Sequence, residues 1–203
     1  MHIVCSDLEG IFVPEIWINV ADITGIKELR LTTRDISDYN VLMARRLAIL
    51  KENGLKLADI QKVIATMDPL AGAVDFLNWL RSSVQVLILS DTFVQFAGPL
   101  MQKLGWPTLF CNSLTIGPDG TITGYQLRQN DGKQKAILAM QSLQYKVIAI
   151  GDSYNDITML QAAERGILFC PPENVKNEFG EFPATFSYDD LKRIIKKTMN
   201  NSQ

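Results

Sequence analysis

The sequence predicts a doubly wound α/β fold with a small helical insertion and a β-hairpin. Five short apolar runs, rich in β-branched residues, have the composition of strands that are buried on both faces of a parallel sheet. These runs are residues 3–5, 84–89, 108–111, 146–150 and 166–170. Helical patterns separate them, and the alternation of buried strands with helices is typical of this class. The 203 residues are enough for one domain that carries a sizeable insertion.

The first departure from this alternation lies between the first strand and the rest. Residues from about 15 to 68 show helical stretches at 39–52 and 57–66 but no convincing buried strand. We therefore predict an α/β core formed by residues 1–14 and 69–203, with a helical cap over residues 15–68 inserted into it.

The helices and the hairpin of the predicted core also have local signals. Three helices are predicted from apolar residues that share one face, namely Val74, Leu77 and Leu80, then Ile137, Met140 and Leu143, then Ile157, Leu160 and Ala163. Residues 113–128 carry an Asp-Gly pair between alternating runs, which predicts a β-hairpin. Ser187 stands three residues before Asp190, which predicts the N-cap of a terminal helix.

The composition excludes several classes of function. The single histidine is His2, at the head of the first predicted strand, so we expect no Ser-His-Asp triad and no zinc site with two histidines. A formal net charge of −2 without a basic block argues against a nucleic-acid partner. We expect a cytoplasmic protein, because no run approaches the roughly 18 apolar residues of a membrane span and no signal-peptide pattern is present. Cys5, Cys111 and Cys170 lack Cys-x-x-Cys spacing and are expected to be small buried hydrophobic residues.

Acidic side chains follow two of the buried strands. Asp7 and Glu9 come after the first run, and Asp152 and Asp156 follow run 146–150. The latter two would share a face if a helix began near Ser153. Each cluster alone is equally typical of a polar turn or a helix cap. Because ligands in such folds lie at the carboxyl ends of the strands, the two clusters together predict an oxygen cage for Mg²⁺.

A hydroxyl and an ammonium group complete this pattern. Ser90 follows run 84–89, and Lys133 comes after an Asp-Gly pair at the start of a predicted helix. A nucleophilic acid, a second acid, a hydroxyl, a lysine and an acidic metal site, in that order, are the components of phosphoryl transfer through an aspartyl-phosphate. Lys135 competes with Lys133 for the cationic role, and the spacing leaves both open.

These residues resemble the four motifs of the haloacid dehalogenase superfamily. Asp7 and Glu9 are similar to its Asp-x-Asp motif, Ser90 to its second motif, Lys133 to its third, and residues 151–156 (Gly-Asp-Ser-Tyr-Asn-Asp) to its fourth. The insertion after the first motif resembles the C1 cap of the phosphoserine phosphatase branch. Residues 13–17, 33–36 and 88–93 are similar in particular to the bacterial phosphoserine phosphatase/phosphoserine:homoserine phosphotransferase subgroup.

The resemblance implies a Rossmann-like core of the haloacid dehalogenase type and a Mg²⁺-dependent phosphoserine phosphatase that also transfers the phosphoryl group to homoserine. It implies that Asp7 is the nucleophile and Glu9 the general acid/base. Mg²⁺ would be held by Asp7, by the backbone carbonyl of residue 9 and by Asp152, with Asp156 in support. The residues implied to line the phosphoserine site are Glu15, Arg46, Ser90, Asp91, Lys133 and Asn155. The subgroup also leans towards a homodimer.

The charges of Glu15 and Arg46 suit the ammonium and carboxylate groups of phosphoserine, since arginine can bind a carboxylate bidentately. Arg45 is adjacent, so the register alone does not exclude it. Glu9 replaces the usual second Asp, and Asp91 replaces a residue that is commonly Gly in ordinary phosphoserine phosphatases. These two departures leave open whether water or an alcohol is the preferred acceptor.

Two alternatives remain at this point. One is a non-enzymatic Asp phospho-acceptor module of the response-regulator receiver type, against which the cap-sized insertion argues. The other is a phosphatase that acts on another small phosphate ester.

Overall fold

A seven-stranded sheet forms the centre of the protein, whose structure is a computed structural model that describes residues 1–32, 35–36 and 38–201. The strands are β1 (His2–Ser6), β2 (Gln85–Phe93), β3 (Leu109–Ile116), β4 (Ile122–Gln126), β5 (Lys146–Gly151), β6 (Arg165–Phe169) and β7 (Ala184–Thr185). Their order in the sheet is β4-β3-β2-β1-β5-β6-β7. All neighbouring strands run parallel except β3 and β4, which form the predicted antiparallel hairpin. The predicted fold class is therefore confirmed, and all five apolar runs form strands.

The helices cover both faces of this sheet. They are α1 (Ile16–Thr24), α2 (Tyr39–Glu52), α3 (Leu57–Thr66), α4 (Ala73–Ser83), α5 (Val94–Lys103), α6 (Gly132–Ser142), α7 (Ile157–Ala162), α8 (Glu173–Glu178) and α9 (Tyr188–Asn200). Helices α4, α5 and α9 contribute to one hydrophobic core, and α6, α7 and α8 contribute to a second core on the other face. Because the inner strands are buried on both sides, their sequences are continuous apolar runs rather than alternating ones.

Residues 15–68, which we call the inserted segment, contain helices and no strand in the part that the structure describes. They comprise α1, a 3₁₀ turn at Lys27–Arg30, α2 and α3, and the last two helices coincide with the predicted stretches. The N–H of Leu57 donates to the carbonyl of Gly120 (3.0 Å), at the tip of the β3–β4 hairpin. In addition, Lys56 forms an ion pair with Asp119 of the tip at 3.2 Å. The inserted segment is thus attached to the hairpin.

Some helix-face predictions are wrong. Leu77 and Leu80 are buried, but Val74 is 36% exposed because the buried face of α4 is formed by Ala73, Phe76, Leu77 and Leu80 and residue 74 lies beside it. Ile137 is buried, whereas Leu143 is 64% exposed as the C-cap of α6, where the chain turns away. Ala163 lies just beyond the end of α7.

The expectation for the cysteines holds only for Cys5, which is buried. Cys111 is partly exposed, and Cys170 is exposed where the chain leaves β6 in a left-handed conformation. All three thiols are free.

Two further expectations concern the chain near its ends. Ser187 caps α9, since its hydroxyl oxygen accepts the N–H of Asp190 at 3.2 Å, as predicted. His2 begins β1 and Asp7 follows the end of that strand, so they lie at opposite ends of the same strand. Within the described residues, no helix is long and apolar enough to cross a membrane.

Candidate active site

The sequence-predicted site residues gather at the carboxyl edge of the sheet. A cavity of about 640 Å³ lies between the ends of the strands and the inserted segment. Eight of the predicted residues line it, namely Asp7, Glu9, Glu15, Arg46, Ser90, Asp91, Lys133 and Asn155. The other two, Asp152 and Asp156, are buried next to Asp7. The fold therefore brings all ten together.

Asp7 and Lys133 form the centre of the site. Asp7 follows β1, and its N–H donates to the carbonyl of Ile150 at 2.9 Å. Lys133 reaches in from the start of α6, and its Nζ lies 3.0 Å from Asp7 Oδ1, 2.7 Å from Asp156 Oδ1 and 3.7 Å from Asp91 Oδ2. All but Asp91 are buried. The site thus places one cation among three carboxylates.

This arrangement shifts the pKa values of the central pair. Burial raises the pKa of Asp7 well above its usual value, and the negative charges of Asp156 and Asp152 raise it further, against the opposing effect of Lys133. Burial alone would lower the pKa of Lys133, but the carboxylates of Asp156, Asp7 and Asp91 raise it well above the usual value. Lys133 is therefore firmly charged, while an ionised Asp7 needs more positive charge than Lys133 supplies.

A turn, rather than a helix face, joins Asp152 to Asp156. Residues Tyr154–Asp156 form a 3₁₀ turn, and Asp156 Oδ2 accepts the N–H groups of Asp152 (2.9 Å) and Ser153 (3.2 Å). This corrects the expectation of a shared helical face. The motif glycine before Asp152 is required by space, because a Cβ on Gly151 would lie 2.3 Å from the Cβ of Asp156.

Three buried carboxylates form a cluster suited to a cation. Asp7, Asp152 and Asp156 each offer one oxygen, and these atoms lie within 4.8 Å of one another. Burial and the charge of Asp156 raise the pKa of Asp152 to about 7. Gly10, with φ +75°, lets the backbone approach this cluster, since a Cβ there would lie 2.5 Å from Asp152 Oδ2. Clustered oxygen donors of this kind suit a hard metal ion.

Glu9 lies apart from that cluster, with its carboxylate turned towards the inserted segment. Its Oε2 accepts the N–H of Ile16, the first residue of α1, at 2.8 Å. Burial raises the pKa of Glu9 to about 8, and the neighbouring charge of Glu15 contributes to the same shift. Glu9 can therefore carry a proton at neutral pH, as a general acid must.

Arg46 and Glu15 line the part of the cavity next to Glu9, since the charges of both act on the Glu9 carboxyl group. Arg46 is only 7% exposed, and its Nη2 donates to the carbonyl of Leu31 at 2.8 Å. Arg45 is exposed on α2 and Lys135 is exposed on α6, and neither lines the cavity. The structure therefore favours Arg46 and Lys133 over their neighbours.

Ser90 and Asp91 complete the floor of the cavity near Lys133. The hydroxyl of Ser90 accepts the N–H of Thr92 at 3.2 Å, and Asp91 Oδ2 accepts a hydrogen bond from the side chain of Asn155 at 3.0 Å. The carbonyl of Asp91 accepts hydrogen bonds from Tyr39 (3.2 Å) and from Asn112 (3.1 Å). Both donors were missed by the sequence analysis.

Trp17 was missed as a separate site residue as well. It lies on the buried face of α1 with Ile16 and Val20, so its inward position is visible in the helical period, but the residue that it meets is not. Of the run 33–36 used for the family resemblance, Thr33 and Arg34 lie outside the described residues.

Comparison with known proteins decides the family. A family model described as haloacid dehalogenase-like hydrolase matches residues 13–164 of this chain. The chain belongs to this family. The matched span includes the inserted segment, Ser90, Lys133 and the acidic turn at 152–156.

Two bacterial relatives of this hydrolase are similar over nearly its whole length. It is 58% identical over 202 residues to the phosphoserine phosphatase ThrH of Pseudomonas aeruginosa, covering 100% of this chain and 98% of the relative. It is 56% identical over 200 residues to a phosphoserine phosphatase of Pseudomonas syringae pv. tomato, covering 98% of this chain and 84% of the relative.

Solved structures show the same hydrolase fold at low sequence identity. A phosphoserine phosphatase in its apo form superposes with a TM-score of 0.77 at 22% identity, covering 96% of this chain and 98% of the other. A structure described as a phospho-aspartyl intermediate analogue of phosphoserine phosphatase gives a TM-score of 0.76 at 22% identity, with 97% and 98% covered.

Proposed function

We propose that this protein is a Mg²⁺-dependent phosphoserine phosphatase that works through an aspartyl-phosphate and also transfers the phosphoryl group from phosphoserine to homoserine. One observation carries this proposal. Asp7 contacts Lys133 and belongs to a buried cluster of three carboxylates, and it lines a cavity that Arg46 and Glu15 also line. The first half of this arrangement suits a phosphoryl group, and the second half suits an amino acid.

The nucleophile in this proposal is Asp7. A phosphoryl group bound by Ser90, Lys133 and Asn155 would face the carboxylate of Asp7, which is buried and fixed at the end of β1. Lys133 would place its charge against the phosphoryl oxygens. Asp91 keeps Lys133 and Asn155 in place through its contacts with both.

The carboxylates around Asp7 would hold the metal ion. Asp7, Asp152 and the backbone carbonyl of Glu9 are the proposed ligands, and Asp156 supports them by orienting the turn that carries Asp152. When bound, Mg²⁺ would supply positive charge to the phosphoryl oxygens. The raised pKa values of Asp7 and Asp152 support this assignment, because both groups would be fully ionised beside a cation.

Glu9 is the proposed general acid and base. A pKa of about 8 leaves it protonated at neutral pH, so it can donate to the serine oxygen as this leaves. The ionised Glu9 can then accept the proton of the group that attacks the aspartyl-phosphate. That group is water in hydrolysis and the hydroxyl of homoserine in transfer.

The inserted segment would act as a cap over the core of residues 1–14 and 69–203. Arg46 would bind the carboxylate of the substrate and Glu15 its ammonium group. Because homoserine carries the same two groups as serine, the same pair can receive the acceptor. The enclosing cavity supports an enzyme over a non-enzymatic receiver module, which has no substrate to enclose.

Two further parts of the proposal concern assembly and location. We propose a homodimer, following the subgroup resemblance, and a cytoplasmic location. The three free cysteines support the latter, because thiols stay reduced in that compartment.

A substrate panel tests this function most directly. Phosphoserine is incubated with the protein and Mg²⁺, with and without homoserine, and inorganic phosphate and phosphohomoserine are followed separately. We expect steady phosphate release, and phosphohomoserine only when homoserine is present. Stoichiometric labelling without turnover would instead indicate the receiver-like module. Faster turnover of another phosphate ester would identify that ester, rather than phosphoserine, as the substrate.

Variants then test the assigned roles. Asp7→Asn is expected to lose at least about 1,000-fold in kcat, and substantial remaining turnover would remove Asp7 from the role of nucleophile. Arg46→Gln is expected to raise the KM for phosphoserine. Arg45→Gln is its matched control, because Arg45 is exposed on the same helix, and it should leave the kinetics unchanged.

A further inference from the structure

The indole ring of Trp17 forms one wall of the pocket around Arg46. The guanidinium carbon of Arg46 lies 4.5 Å from the centroid of the Trp17 ring, within the range of a cation–π contact. Trp17 is 8% exposed and Arg46 is 7% exposed, so the contact is largely shielded from water. Such contacts are strongest when they are desolvated.

The Trp17 ring itself packs against aromatic rings of the hydrophobic core. Its ring and that of Phe96 pack edge to face, with centroids 5.7 Å apart, and the ring of Phe96 packs in the same way against Phe93 at 5.7 Å. Phe93 is the last residue of β2, the strand that carries Ser90. A chain of aromatic rings therefore connects β2, the strand that carries Ser90, with Arg46 in the inserted segment.

Few hydrogen bonds hold the guanidinium of Arg46. Within the described chain, Nη2 donates to the carbonyl of Leu31, Nη1 has only the weak sulfur acceptor of Met43 at 3.8 Å, and Nε has no partner. A guanidinium offers five N–H donors, so the described residues use only a minor part of the donor capacity of Arg46. Among the described residues, Arg46 forms no ion pair with a carboxylate, although the charges of Glu9 and Glu15 act on it, and the face of the Trp17 ring contacts its guanidinium.

We propose that Trp17 is a positioning residue that makes the site selective for phosphate esters with a carboxylate group, because its ring holds the Arg46 guanidinium without occupying the N–H donors. This inference rests on the proposed function. A carboxylate partner in the place of Trp17 would hold Arg46 equally well, but it would neutralise the charge and take up the donors that a substrate carboxylate needs. An aromatic face attracts the cation and leaves its edges free.

The experiment compares Trp17→Leu and Trp17→Phe with the wild type on two substrates. Phosphoserine carries a carboxylate, and phosphoethanolamine has the same phosphate and ammonium groups without it. Where phosphoethanolamine turns over slowly, its inhibition constant against phosphoserine replaces its KM. Trp79→Leu is the matched control, because Trp79 also makes cation–π contacts, with Lys192 and Lys196, outside the cavity.

We expect Trp17→Leu to raise the KM for phosphoserine about 2- to 30-fold, the range that cation–π contacts span from exposed to desolvated sites, with kcat changed less than about 2-fold. The KM or inhibition constant of phosphoethanolamine should change by less than about 2-fold. Trp17→Phe should restore part of the loss on phosphoserine, and Trp79→Leu should leave the constants for both substrates unchanged.

Three outcomes would overturn the inference: an equal loss on both substrates, no loss on phosphoserine, or a loss confined to kcat. Thermal unfolding of every variant shows that the comparison is made on folded protein, and Trp17→Phe serves if Trp17→Leu does not fold. A wild-type protein that is inactive on phosphoserine would instead reject the proposed function itself, so the two failures are distinct.

Discussion

Replacement of Asp156 by Asn should strongly destabilise the fold, because this fully buried carboxylate has a partner on each oxygen. Oδ1 accepts Lys133 Nζ at 2.7 Å, and Oδ2 accepts the N–H groups of Asp152 and Ser153. An amide of the same shape loses the charge, and its NH₂ group faces a donor in either orientation. Removing one member of a buried ion pair costs about 3–5 kcal/mol. Because Lys133 still has Asp7 as a partner at 3.0 Å, we expect the free energy of unfolding to fall by about 3 kcal/mol, at the lower end of this range. This corresponds to a fall in Tm of about 6–12 °C.

Urea and thermal unfolding of the metal-free protein at pH 7 measure this effect. The matched control is Asp68→Asn, which breaks an ion pair of similar length with Lys103 (2.9 Å) at a carboxylate that is 84% exposed, and it should cost at most about 1 kcal/mol. The double variant Asp156→Asn/Lys133→Met should lose less than the sum of the two single variants, since it removes both members of the 2.7 Å pair together. A loss for Asp156→Asn no greater than that of the surface control would refute this reasoning.

Three further predictions follow from the site. The value of kcat/KM for phosphoserine should fall about tenfold per pH unit above about pH 8, where Glu9 releases its proton. Glu9→Gln should abolish this decrease at high pH. A decrease that survives the substitution would show that another group is responsible. The raised pKa of Asp7 means that ionisation of this buried group is unfavourable without a metal. Asp7→Asn should therefore raise the Tm of the protein in EDTA, although it removes activity. A lower Tm of the variant would contradict this reasoning. The Gly10→Ala variant should need a higher Mg²⁺ concentration for half-maximal activity, as measured by titration, because the new Cβ would meet Asp152. The control is Gly25→Ala, where φ is also positive (+74°) but the surrounding space is open, and it should show only a loss of stability.

The sheet and the position of the site were largely predictable from local sequence. The inner strands are buried on both faces, and this environment requires the continuous apolar runs that make them recognisable. Asp7, Ser90 and Asp152 follow or end such runs, and parallel strands bring their carboxyl ends to one edge. Neither inference needed long-range information.

The choice between Arg45 and Arg46 depends on how α2 packs. Its buried residues include Leu42, Met43 and Leu50, and residue 46 shares their face at helical spacing, whereas residue 45 points away. The helical period of α2 therefore favours Arg46 over Arg45 as the buried residue. The contact between Arg46 and Trp17 was not predictable in this way, because it depends on the tertiary placement of α1 and α2, which pack mainly against other elements.

Elements with weak local signals were missed or assigned incorrectly. Strand β7 has two residues and α8 has six, which is too short for a period to emerge. Helix α5 contains Pro99, which interrupts the helical signal. The turn at Asp156 is stabilised by Lys133, which lies 23 residues away in the sequence, so spacing alone suggested a helix face instead.

The attachment of the inserted segment to the β-hairpin has a consequence for recombination between related chains. Leu57 and Lys56 bind the hairpin tip at Gly120 and Asp119, although the two parts are separated by more than a whole strand–helix unit of sequence. A chimera that exchanges residues 15–68 alone would bring a foreign surface to this tip and could keep the backbone bond to Gly120 while it loses the side-chain contact of Lys56 with Asp119. The exchangeable module for altering substrate choice is therefore discontinuous, and it consists of residues 15–68 together with the tip at 117–121.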